Sequence, residues 1–293
     1  MAKRTKAAKV DFQIASLPQT RKEVFADVLK IHWRSFIGFA FLFVLFTIPF
    51  HALGIYEDLI QMNTMQDFAN MTSAQQQTAI VRVLSVKNTS ALLNIVSFVI
   101  FSVFLSGMLR VIRQYSWEEN VFFGYDMIQG IKQNIGQILP LFVLVGVINS
   151  FAVYAYYFST LTTDATSVVL LAMAVCAVIV LGVPTLAYTL VSVSLYDNSL
   201  IGHIKLGAVM AFKAPLKSFG MLALFLVPFA LAMVPHIIFH IVGRLIGSLC
   251  LPIVLLAWYL FALDRFDEVV NKTKFPELVG RGTFSKDDKQ IES

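Results

Sequence analysis

Charge is scarce in this chain. Acidic and basic residues together make up 14% of its 293 positions, against about a quarter in soluble globular domains. A water-facing surface of ordinary size needs more, so a soluble globule is excluded. Cysteine is nearly absent: Cys176 and Cys250 are the only two, and both sit in apolar sequence. Disulfide frameworks need several cysteines in a short secreted chain, so these two read as small buried thiols. The main catalytic signatures are missing as well. There is no H-E-x-x-H, no phosphate-binding G-x-x-x-x-G-K-[ST] and no G-x-S-x-G elbow. ATP-driven transport by this chain alone and intramembrane hydrolysis have no visible chemistry, and no cofactor is expected. The basic residues at 1–9 are followed by no apolar run until Phe36. A cleavable signal peptide has its apolar region much closer to the start, so the first apolar stretch reads as retained.

What the chain has in abundance is apolar sequence. Hydrophobic residues fill 57% of it, and most lie in six stretches free of Asp, Glu, Lys and Arg: 36–56, 90–109, 137–163, 165–196, 218–243 and 245–262. About 20 apolar residues cross roughly 30 Å of hydrocarbon as a helix. The expected fold class is therefore all-α, a polytopic transmembrane helical bundle of about six spans in three hairpins. A membrane domain over 20–265 lies between a basic tail, 1–19, and a polar tail, 266–293. Its first partner is the lipid bilayer.

A net charge of +5 raises the question of nucleic acid, but the bases flank the spans and form no separate basic face. Between spans one and two, three and four, and five and six, the only bases are Arg82, Lys87 and Arg244; the other twenty of the 23 lie in the tails and the remaining connections. Bases are retained on the cytoplasmic side. Both termini are expected inside a bacterial plasma membrane, and Trp33, Trp117 and Trp258 are expected as anchors at that interface.

Each hairpin is preceded by a segment with helical spacing. Thr20-Arg-Lys-Glu23 and Ser116-Trp-Glu-Glu119 have the form of capping boxes. Behind them come Val24, Phe25, Val28 and Leu29, then Phe123, Met127, Ile128 and Ile131; Ile204, Ala208, Ala211 and Phe212 repeat the pattern before the third hairpin. These predict three amphipathic elbow helices on the cytoplasmic side. The connection 57–87 is the longest, and Leu59, Met62, Met65 and Phe68 predict one or two short helices in it. Within 165–196, Leu181-Gly-Val-Pro-Thr185 is the expected place for a bend.

Polar candidates are few. His236 and His240 share a helix face, and His51 is expected toward the same leaflet; three imidazoles form a metal site with an open position, or simply hydrogen-bond locally. Asn94, Asn149, Thr185 and Thr189 either bind a neutral solute or join helices. The six stretches hold no acid or base, and ion-coupled carriers rely on such a group inside the membrane.

One block is more specific. Gly107-Met-Leu-Arg-Val-Ile-Arg-Gln-Tyr115, Glu118-Glu-Asn-Val-Phe-Phe123 and Gly130-Ile-Lys-Gln-Asn134 resemble the YesL family of bacterial integral membrane proteins. Tyr196-Asp-Asn198, Asp264-Arg-Phe266 and Phe275-Pro-Glu277 are similar to later parts of that family. The resemblance implies no catalytic residues and a role accessory to carbohydrate uptake. The leading expectation is thus a non-enzymatic plasma-membrane accessory protein that contacts a transporter complex or lipid through Arg110, Arg113, Lys132, Lys213 and Lys217. A facilitator or channel for a small neutral solute is the first alternative; an outer-leaflet metal-dependent enzyme using His51, His236 and His240 is the second.

Overall fold

Thr20 starts the first helix by accepting the Glu23 amide on its hydroxyl, and α1 then runs Arg21–Met65. In the computed structural model, residues 17–161, 165–234 and 236–284 are described; Pro235, the bases within 1–16 and the end of the polar tail lie outside them. The first elbow and first span form one helix, bent at His32 (φ −108°, ψ 17°). With 45 residues, α1 is about 68 Å long and stands well clear of a bilayer core.

The helices expected within 57–87 are not separate short ones but extensions of α1 and α2. Nothing breaks α1 before Met65, and α2 (Ser73–Ser116) begins with a full capping box, Thr72 and Gln75 exchanging side-chain and backbone hydrogen bonds. Only a short turn with one 3-10 segment, Phe68–Asn70, separates them.

The second expected capping box does not form. Ser116 ends α2 and donates to the Ile112 carbonyl, while Glu118 takes a left-handed φ of 55°. Asp126 serves in its place, its carboxylate accepting the Phe122 amide at 2.8 Å. From there α3 (Phe123–Leu161) continues unbroken, so elbow and third span are one element. The helices α2 and α3 approach closely because Gly107 and Gly130 face each other: a β-carbon on Gly130 would lie 2.8 Å from the Gly107 carbonyl oxygen.

The expected bend in the fourth span is present. α4 (Ala165–Ala177) passes through a π-helical turn, Val178–Gly182, into α5 (Val183–Leu195), which has Pro184 in its first turn, where a missing N–H costs least. The third elbow is a separate helix, α6 (Leu200–Lys213), ended at Ala214 (φ −143°, ψ 59°) before α7 (Pro215–Leu224).

The expected boundary between spans five and six is displaced. α8 runs continuously over Ile237–Phe266 and carries Arg244 inside it. The interruption comes earlier: α7 and the 3-10 segment Val227–Met233 meet at 60°, where Pro228 removes a backbone donor. Val234 is extended (φ −74°, ψ 128°), as suits a residue before proline. Among the described residues, five helices are long and apolar enough to cross a membrane: Arg21–Asn70, Ser73–Ser116, Phe123–Tyr156, Leu171–Leu195 and Ile237–Lys274; the bent pair, taken as one span, makes six. No strand occurs among the described residues.

α1 lies between α2 and α8, α3 packs on α2, α6 on α5, and the 3-10 segment on α8. Their common core includes Phe36, Phe39, Phe43, Phe104, Met108, Tyr188, Leu256, Tyr259 and Leu263. Trp258 belongs to this core, 3% exposed, with its indole N–H donated to the Ala187 carbonyl; Trp33, at 53% exposure, is the one that fits an interfacial anchor.

Candidate functional site

One polar cluster inside the bundle lies on the seam between α1 and α8. Along α1, Thr47, His51, Gly54 and Asp58 follow at steps of four, three and four, which places them on one helix face. Along α8, which runs the opposite way, His240, Arg244 and Ser248 follow at steps of four. The two rows meet. The Asp58 carboxylate receives His240 Nδ1 at 3.0 Å and Arg244 Nη2 at 3.1 Å on the same oxygen. One turn deeper, Ser248 Oγ lies 2.8 Å from His51 Nε2 and 3.1 Å from Thr47 Oγ1. The Thr47 hydroxyl donates to the Phe43 carbonyl at 2.7 Å, which closes the column.

Gly54 of α1 makes this seam possible. A β-carbon on Gly54 would overlap the Arg244 guanidinium, so the absence of a side chain there lets Arg244 lie across α1. On the far side of α8, Gly243 and Gly247 form a small-xxx-small pair. A β-carbon on Gly243 would collide with the Ala232 backbone, and one on Gly247 with the Phe229 ring. The interrupted fifth span therefore lies directly on α8, behind Arg244 and Ser248.

The column opens into a cavity of about 790 Å³ lined by Asp58, Gln61, Asn63, Gln66, Lys87, His236 and His240, with Met62, Met65 and Ile237 as its apolar part. Glu57 lies near Ser90 of α2, Lys87 and Arg244. Acids and bases are thus both present, so the wall offers many donors and acceptors and little net charge. Below Thr47 the seam is apolar and tight, with Phe43, Phe39 and Phe36 from α1 and Leu256, Leu260 and Leu263 from α8 all buried. The cavity is open at one end and sealed toward the other.

The sealed end holds most of the remaining ion pairs. Asp126, 3% exposed, takes Arg110 Nε at 3.3 Å and Gln114 Nε2 at 2.9 Å, and Arg110 also donates to Gln133. Arg113 donates to the Ser194 carbonyl and lies over the Trp117 ring. The segment after α8 folds back: Arg21 pairs with Asp267, Arg281 with Glu119, and the Phe284 amide donates to the Pro18 carbonyl. Burial pushes the Tyr196 phenol above its usual range, so it stays protonated and donates to Asn271 Oδ1 at 2.6 Å.

Sequence-based expectations divide against this geometry. The stretches without acids or bases missed the α1–α8 cluster, because the helices extend past them to include Asp58 and Arg244. His51, His236 and His240 do not converge: His51 meets Ser248, His240 meets Asp58 and His236 Nδ1 accepts the Ile238 amide. Among the described residues, no group of three or more His, Cys, Asp or Glu is arranged to hold a metal ion. Thr185 and Thr189 belong to the α5–α6 contact, where the Thr189 hydroxyl donates to the Thr185 carbonyl beside Gly207. Asn94 and Asn149 are half-buried on α2 and α3, apart from the cavity lining. Arg110 and Arg113 serve internal contacts, while Lys132, Lys213 and Lys217 are exposed. Two signals were present in the sequence, Gly54 three residues after His51 and the Gly243-x-x-x-Gly247 pair. Comparison with family models, curated proteins and solved structures finds no match to this chain.

Proposed function

We propose that this protein is a non-enzymatic facilitator for a small, polar, uncharged solute, held here with its cavity open at the end away from the clasp formed by the Arg21–Asp267 and Arg281–Glu119 pairs. The observation that carries this reading is the cavity that continues as a hydrogen-bonded column between α1 and α8. An interrupted helix beside a polar site is how many transporters free backbone groups and allow movement, and the 60° break lies against the helix that carries Arg244 and Ser248. Within the proposal, the membrane is a bacterial plasma membrane and both tails are cytoplasmic, since twenty of 23 bases flank that side.

The test is solute entry into osmotically shrunken proteoliposomes, followed by light scattering with glycerol, erythritol and glucose as separate probes. At least one probe is expected to enter faster than into protein-free vesicles, and Ser248→Leu, which fills the column, is expected to abolish the difference. Rates equal to those of empty vesicles for all three overturn the reading.

A second reading has its own support. Lys132, Lys213 and Lys217 are exposed, and so are Phe122, Phe212 and Leu216, at 73%, 63% and 86%. Such a surface suits contact with a transporter complex, the accessory role in carbohydrate uptake that the resemblance to the YesL family implies. Retention of transporter subunits in mild detergent, lost on changing these lysines to Glu, is the expected result.

A further inference from the structure

Away from the α1–α8 column, a second cavity of about 590 Å³ lies at the clasped end, between the first turns of α1, Met221 of α7 and the last turns of α8. Its depth is apolar: Phe25, Met221, Ala257, Leu260 and Phe261. Its rim is polar, with Thr20, Arg21 and Lys22 on one side and Asp264 on the other. Arg21 is committed to Asp267. Lys22 and Asp264 are both exposed, so the rim presents one cationic and one anionic group above an apolar slot. Met221 in the floor is an unbranched side chain that adapts to an irregular chain.

These features match one ligand class. An apolar slot at a helix end, in a protein with membrane-spanning helices, is filled by hydrocarbon. A cation at its mouth suits a phosphate, and charge-assisted hydrogen bonds of this kind are the stronger ones. The carboxylate opposite would repel a headgroup that carries only negative charge, whereas a primary ammonium on the same headgroup would pair with it. We propose that this cavity is a phospholipid site selective for a headgroup carrying both a phosphate and a primary ammonium. Lys22 holds the phosphate, Asp264 the ammonium, and the slot formed by Phe25, Met221, Leu260 and Phe261 one acyl chain. This site is independent of the facilitator reading and shares no residue with that cavity.

The experiment uses the full chain, delipidated in mild detergent and equilibrated with mixed micelles of phosphatidylethanolamine, phosphatidylglycerol and phosphatidylcholine, with retained lipid counted by native mass spectrometry. One phosphatidylethanolamine is expected to persist after the other two are stripped. Lys22→Gln is expected to weaken its retention about tenfold, as the loss of one charge-assisted hydrogen bond does. Asp264→Asn is expected to keep a bound lipid but remove the preference over phosphatidylglycerol. Both positions are exposed, and unchanged thermal unfolding confirms that the variants fold. Equal retention of the three lipids by the wild type, a preference for phosphatidylglycerol, or retention indifferent to both substitutions overturns the proposal.

Discussion

The guanidinium of Arg244 lies over Gly54, in the space a β-carbon would occupy, and from there reaches the Asp58 carboxylate at 3.1 Å. Two residues 190 positions apart in sequence thus decide where a charge sits inside an apolar bundle. Gly54→Ala is expected to displace the guanidinium and destabilise the protein by roughly 1 kcal/mol, a modest figure because Arg244 and Asp58 are 25% and 22% exposed. Arg244→Gln lowers stability on its own. In that background Gly54→Ala is expected to cost nothing further, because the side chain it displaces is gone. Thermal unfolding of the two single variants and the double variant in detergent checks this, and additive losses contradict it.

At Gly243 the neighbour is backbone. A methyl group there meets the Leu231–Ala232 peptide, which is less free to move than a side-chain tip. Gly243→Ala is therefore expected to cost about 1–3 kcal/mol through overpacking, more than Gly54→Ala, and to loosen the interrupted span. Faster proteolysis within 215–233, measured beside wild type, is the accompanying sign.

Asp126 sits almost fully buried among Arg110, Gln114 and the Phe122 amide. Asp126→Ala leaves Arg110 without its carboxylate and is expected to cost about 3–5 kcal/mol. Asp126→Asn keeps an acceptor for the Phe122 amide and is expected to lose less. Denaturation midpoints that rank the two variants the other way contradict this account of the α2–α3 turn.

His203 sets a pH dependence. Burial on α6 holds its imidazole below the ordinary histidine range, with Nδ1 2.7 Å from Ser192 Oγ and Nε2 without a hydrogen-bond partner. The unfolded chain therefore binds a proton at a pH where the folded protein does not. Stability is full above about pH 6.5, the unperturbed value, and falls as the pH drops below it. Melting temperatures between pH 7.5 and 5.5 are expected to decline, and less steeply in His203→Gln.

Much of this architecture is legible in the sequence because hydrocarbon imposes a simple length and charge rule. The six apolar stretches foretold the bundle, and Pro184 foretold the bend before α5. What escaped depended on partners distant in sequence. Arg244 looks like a loop residue until Asp58, 186 positions away, is known to receive it, and the same pairing lets α8 run through the expected boundary. Ser116-Trp-Glu-Glu119 has the pattern of a cap, yet the cap falls to Asp126, because Arg110 and Gln114 meet that carboxylate. The three histidines have identical chemistry on paper; their different neighbours separate them.

The fold-back after α8 also constrains the order of assembly. Asp267 pairs with Arg21, Phe284 with Pro18, and Gly282, at a φ of +86°, lies against the Ser116 carbonyl. Each of these contacts uses a residue that follows Phe266, the end of α8. The start of α1 must therefore wait, inserted but untied, until translation has passed residue 284. A stalled or truncated chain would reach the bilayer with its helices present and this end of the bundle still unfastened.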